Sequence, residues 1–175
     1  MGLRFSKNRK SSVIIVGLDN SGKSTIVNSL KPEKKKKREM VPTVGFMVET
    51  FSHNKIDFTM YDMSGQGKYR NLWEHNYKHA KGIIFVIDSA DTARMVIAKN
   101  ELDLLLNHKD IANSTIPILF FANKKDLPKA RSVPEIHQAL ELNRIDSRAF
   151  AVQPSDALRS IGLNEGMEWL SRNLP

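Results

Sequence analysis

The run Gly17-Leu18-Asp19-Asn20-Ser21-Gly22-Lys23-Ser24 constrains this chain more than any other stretch. It fits the pattern G-x-x-x-x-G-K-[ST], and its flanks agree with it. Val13-Ile14-Ile15-Val16 before it reads as a buried strand, and Ser24-Thr25-Ile26-Val27 after it reads as the first turn of a helix. A strand, a glycine-bounded loop and a helix start form a cradle in which backbone N–H groups converge on a phosphate. Candidate phosphate contacts are therefore Gly17, Asp19, Asn20, Ser21, Gly22, Lys23, Ser24 and Thr25. The Lys23 ammonium should reach β and γ oxygens, and the Ser24 hydroxyl is a candidate Mg²⁺ ligand.

Three further segments supply what such a cradle needs. Asp62-Met63-Ser64-Gly65-Gln66 follows an apolar strand. Asp62 can hold Mg²⁺ through a water, the Gly65 N–H can approach a γ-phosphate, and Gln66 can orient an attacking water. Asn123-Lys124-Lys125-Asp126 closes another strand. Asp126 can accept from guanine N1–H and the 2-amino group, a donor pair that adenine lacks. Asn123 would brace that loop, and the Lys124 stem can cover the base. Thr43, in Pro42-Thr43-Val44-Gly45-Phe46, can complete the Mg²⁺ shell only while a γ-phosphate is present. Catalysis of hydrolysis is thus assigned to Gln66 and Lys23, and metal ligation to Ser24 and Thr43.

The charge is unevenly placed. Of a net +8, residues 1–38 carry eleven basic and two acidic side chains, so the remaining 137 residues are close to neutral. A basic N-terminal end suits an anionic membrane surface. No basic motif interleaved with aromatics appears, so nucleic acid is not an expected partner. The run at residues 34–38 reads equally well as a solvated loop. A sequence without cysteine offers no disulfide, thiolate zinc site or thioester anchor. With no apolar run of membrane-spanning length and no cleavable leader, a cytoplasmic, monomeric protein is expected.

Apolar runs alternate with helical patterns, which predicts an α/β fold with a mostly parallel sheet and helices on both faces. Residues 46–51 and 56–61 read as a hairpin around residues 52–55. Residues 83–87 and 116–121 read as central strands. Ala98, Leu102, Leu105 and Leu106, and then Leu163, Met167, Leu170 and Leu174, recur at helical spacing. The chain divides into a basic segment, 1–12, and one domain, 13–175.

GLDNSGKST, PTVGF, DMSGQ and NKKD, in this order and spacing, resemble the Arf and Arf-like family of small GTPases. DMSGQGKYRNLW with Glu74-His75, and FFANKKDL, are most similar to the Arf-like subtype that recruits the BBSome, a coat carrying membrane cargo in cilia. The resemblance implies the P-loop small GTPase fold: six strands, five main helices, and switch segments at residues 36–46 and 65–81. It implies a GTP/GDP switch dependent on Mg²⁺, an exchange factor, a GTPase-activating protein and an effector. The hairpin would slide on GTP binding and release the N-terminal segment to membranes. Residues 67–73 would form part of the effector surface, and Arg70 serves partner contacts rather than acting as a built-in arginine finger.

Two positions depart from that pattern. Relatives have a small residue whose N–H meets guanine O6, whereas here the stretch is Gln153-Pro154-Ser155, and proline has no N–H. That bond is missing or moved to Ser155. Asn76 replaces an aromatic that would group with Phe46 and Tyr61, with Tyr77 as a substitute. The N-terminus fits M-G-x-x-x-[ST], so Gly2 is a candidate myristoylation site, with Arg4, Lys7, Arg9 and Lys10 as a second, electrostatic signal. The alternative to a hydrolysing switch is a GTP-binding scaffold with negligible hydrolysis.

Overall fold

A computed structural model describes residues 7–175. Gly2 and Arg4 lie outside the described residues. Six strands form one sheet in the order β2-β3-β1-β4-β5-β6: β1 (Arg9–Val16), β2 (Phe46–His53), β3 (Ile56–Met63), β4 (Gly82–Asp88), β5 (Ile118–Asn123) and β6 (Phe150–Pro154). Only the edge strand β2 runs antiparallel to its neighbour. Among the described residues the α-helices are α1 (Lys23–Leu30), α2 (Met95–Asn107), α3 (Lys109–Ala112), α4 (Val133–Ala139) and α5 (Leu163–Asn173).

The period of two along each central strand sorts the core into halves. Ile14, Val16, Phe85 and Phe120 face α2, α3 and α4 through Leu102, Leu105, Ile111 and Ile136. Val13, Ile15, Ile84 and Phe121 face α1 and α5 through Ile26, Leu30, Met167 and Leu170. Both faces are covered, which is why these strands read as unbroken apolar runs. β1 lies between β3 and β4, so the strand order reverses at its carboxyl end, where an open α/β sheet places its ligand.

The strands outrun their apolar patterns. β1 begins at Arg9 rather than Val13, because residues 9–12 pair with residues 56–59 through backbone that polar side chains do not disturb. Arg9 donates to the carbonyls of Ser171 at 2.8 Å, Leu174 at 3.2 Å and Pro175 at 3.4 Å, which caps the end of α5. Its guanidinium is thereby tied to the fold. In the hairpin, His53 pairs with Ile56, leaving Asn54 and Lys55 as a two-residue turn with φ of 49° and 61°. β5 starts at Ile118, two residues after the expected point.

Residues 67–79 coil into two short 3₁₀ helices, Gly67–Leu72 and Glu74–His79. Trp73, between them, is only 2% exposed and donates its indole N–H to the Ser64 carbonyl at 2.9 Å. It belongs to the core and not to an effector surface.

Candidate nucleotide site

The loop from Gly17 to Gly22 joins β1 to α1 at the sheet's reversal point. Gly22 sits in the left-handed region at φ 100°, and a Cβ there would lie 2.2 Å from Asn123 Nδ2. Only glycine lets the loop pass that amide. Beyond it the Lys23 side chain folds back, its ammonium donating to the Leu18 carbonyl at 2.8 Å. Burial lowers its pKa from 10.5 to about 8, against the pull of Asp62 and Asp19.

Ser24, Thr43 and Asp62 meet beside this lysine. Ser24 Oγ lies 2.9 Å from Thr43 Oγ1 and donates to Asp62 Oδ2. Burial raises the Asp62 carboxyl, opposed by the Ser24 bond and Lys23, and Asp62 Oδ1 is buried without a partner. Three hard oxygens from three segments, one of them wanting a contact, fit a small divalent cation such as Mg²⁺. Among the described residues no cluster of three or more His, Cys, Asp or Glu offers a rival metal site.

A cavity of about 330 Å³ opens over this cluster. Its walls are Asp19, Asn20 and residues 22–25 of the loop, residues 40–43, and Ser64, Gly65 and Gln66. Gly65 packs so closely on the loop that a Cβ would meet Asp19 N at 2.2 Å, and its carbonyl accepts from that N–H at 3.1 Å. The Gln66 N–H is steered by Ser64 Oγ at 3.3 Å. The phosphate-side residues read from the sequence thus assemble in one place. Gly17 and Ser21 support the loop from below; Gly17 packs against the Val86 carbonyl and Ser21 is buried.

The residues expected to read the base do not line that cavity. Asn123 links them to the P-loop, donating to the Ser21 carbonyl at 2.9 Å and accepting from Ser155 Oγ at 3.1 Å and Ala157 N at 3.0 Å. Lys124, at φ 60°, pairs with Asp88 at 2.6 Å. Asp126 is exposed beside it. Pro154 ends β6, and the Ser155 N–H is taken by the Ala122 carbonyl at 2.9 Å. A donor for the base therefore has not moved to Ser155.

Sequence reasoning overlooked two clamps on the loop. Arg94 reaches Asp19 from the start of α2 and is itself held by Asp91 at 2.6 Å. The Asp91-x-x-Arg94 spacing was the available local signal, but nothing local discloses the contact across 75 residues. Arg70 is bound inward, to the Gly65 carbonyl and to Glu101, both at 2.8 Å, with Asp19 at 3.9 Å. It anchors the second switch instead of facing a partner. Tyr77 does not replace the missing aromatic either: it is 5% exposed and packs edge-on to His108 at 5.0 Å. Phe46 and Tyr61 do approach, at 6.5 Å, with half-buried Asn76 bonded to the Leu72 carbonyl.

Comparison with known proteins agrees with this geometry. The ADP-ribosylation factor family profile matches residues 1–174. ADP-ribosylation factor-like protein 6 of Danio rerio is 52% identical over 164 residues, covering 94% of this chain and 88% of the relative. Its counterpart in Caenorhabditis elegans is 42% identical over 163 residues, covering 93% and 86%. The solved structure of the Arl6 BBS3 small GTPase from Trypanosoma brucei, with bound GppNp, superposes with a TM-score of 0.87 at 38% identity, covering 93% of this chain and 96% of that one. With a family profile covering nearly the whole chain and a relative 52% identical, the chain belongs to the ADP-ribosylation factor family of small GTPases.

Proposed function

We propose that this protein is a GTP/GDP switch that hydrolyses GTP slowly unless assisted and recruits an effector coat to membranes in its GTP state. The convergence of Ser24, Thr43 and Asp62 beside Lys23, with Gln66 on the same cavity, carries the reading. Ser24 and Thr43 would hold Mg²⁺ directly and Asp62 through a water; the ion supplies charge neutralisation on the β and γ oxygens. Lys23 binds those oxygens as the ammonium. Gln66 orients a water whose oxygen bonds to the γ-phosphorus as the bond from phosphorus to the β–γ bridging oxygen breaks, giving GDP and phosphate. Arg70 and Arg94 are both tied to neighbours, so neither serves as a cis arginine finger, and an activating protein would speed turnover by about 10³–10⁵.

Thr43 ties the first switch to the metal cluster, and β2 follows directly. On β2 and just before it, Val44, Phe46 and Val48 are 69%, 46% and 49% exposed, an apolar strip suited to an effector. Likeness to factor-like protein 6 and to a structure named for BBS3 favours the BBSome as that effector and the cilium or its base as the location. Lys7 and Lys10, both exposed, would join Arg4 and a myristoylated Gly2 in a two-signal membrane anchor. Single-turnover hydrolysis of GTP by the wild type and by Gln66→Leu tests the switch. Phosphate release by the wild type and its loss in the variant are expected; no release from either would favour the non-hydrolysing scaffold. Anionic-vesicle binding weaker for Gly2→Ala than for the lipidated wild type tests the anchor.

A further inference from the structure

Guanine presents, in order along one edge, a 2-amino donor, an N1–H donor and the O6 acceptor. Asp126, an acceptor only, can serve the first two. O6 needs a donor from the wall beside Asp126, and residues 153–157 form that wall. Lys125 donates its N–H to the Ser155 carbonyl at 3.1 Å, and Asn123 Oδ1 receives Ser155 Oγ and the Ala157 N–H.

From residue 154 to residue 157 no backbone N–H is to spare, and the Gln153 side-chain amide donates to the Pro154 carbonyl at 3.0 Å. Pro154 has no N–H. The Ser155 N–H goes to Ala122 O at 2.9 Å, the Asp156 N–H to Ile161 O at 3.0 Å, and the Ala157 N–H to Asn123 Oδ1 at 3.0 Å. These three residues are 0%, 3% and 4% exposed, so each amide is turned inward, and turning the Ser155 N–H toward a base would leave the buried Ala122 carbonyl without it. The ammonium of Lys124, in the same loop as Asp126, is paired with Asp88 at 2.6 Å.

We propose that this protein reads guanine at N1 and the 2-amino group alone, and accepts guanosine triphosphates altered at position 6. The inference rests on the guanine-nucleotide reading above and adds the chemical class of nucleotide tolerated. A site with an O6 donor loses that bond when oxygen becomes a poor acceptor; here there is none to lose.

The test is competition against a fluorescent GDP, at neutral pH with Mg²⁺, by GTP, 6-thio-GTP, ITP and ATP on the full-length protein. 6-thio-GTP keeps N1–H and the 2-amino group, whereas ITP lacks the latter. The expected result is 6-thio-GTP within about threefold of GTP, and ITP weaker by roughly tenfold to a hundredfold. Pro154→Ala should raise GTP affinity by about two- to tenfold and leave 6-thio-GTP unchanged. A 6-thio-GTP penalty above about tenfold in the wild type, with GTP still preferred to ATP, overturns this inference alone. ATP competing as well as GTP would remove the guanine-nucleotide reading on which it stands. The wild-type comparison needs no variant to fold.

Discussion

Arg94 donates through one Nη to the Asp19 carboxylate at 2.8 Å and through the other to the Asp19 carbonyl at 3.0 Å. A single guanidinium thus fixes both the side chain and the backbone of a P-loop residue from a different element. The pair is 30% and 40% exposed, so solvent screens it, and its worth is about 1 kcal/mol rather than that of a buried ion pair. Arg94→Ala should weaken GDP and GTP alike by several-fold, corresponding to about that energy, because it loosens the loop and touches no γ-phosphate. Equilibrium titration with both nucleotides checks this. A loss confined to GTP would point to a direct role at the γ-phosphate.

Lys23 sets a pH dependence. Its folded pKa, about 8, lies below the ordinary 10.5, so between these values the unfolded chain holds the extra proton. In the nucleotide-free protein its contribution to stability therefore rises with pH across that window, and near neutrality the buried ammonium is a cost. Lys23→Met should stabilise the nucleotide-free protein at pH 7 by on the order of 2–3 kcal/mol, shrinking as pH climbs through the folded pKa. The same variant should lose nucleotide binding. Denaturant unfolding at several pH values reads the first, and a pH-independent difference would contradict the assignment.

Ser24 touches both Thr43 and Asp62. Ser24→Ala should reduce the effect of Mg²⁺ on GDP release by at least about tenfold. Dissociation of a fluorescent GDP with Mg²⁺ and with excess chelator measures it. An unchanged ratio would move the metal elsewhere.

Trp73 fills the space beneath the second switch, so Trp73→Ala should cost about 3–5 kcal/mol in equilibrium unfolding. Normal stability with lost effector binding would instead restore it to the surface.

What the sequence disclosed and what it hid divide along physical lines. The P-loop, the DMSGQ segment and NKKD were legible because their chemistry lies in consecutive residues at the ends of apolar strands. The unbroken apolar runs within β4 and β5 disclosed central strands covered on both faces. Arg9 at the end of α5 and Arg94 on Asp19 were hidden, since exposed-looking charges carry no mark of a partner 75 or more residues away. Trp73 and Tyr77 were hidden because residues 67–79 carry no helical or strand period, so their burial in a pair of 3₁₀ turns has no mark in the sequence. The absence of an N–H at residue 154 was visible in the sequence. That Ser155 could not replace it required the Ala122 bond.

Relative affinity for GTP and ATP, measured by competition on purified protein with Mg²⁺, bears most directly on the claim that Asp126 selects the purine at a P-loop cradle. GTP should bind at least about 10²-fold more tightly, since adenine would leave the carboxylate facing no donor pair. Equal binding of the two would contradict it.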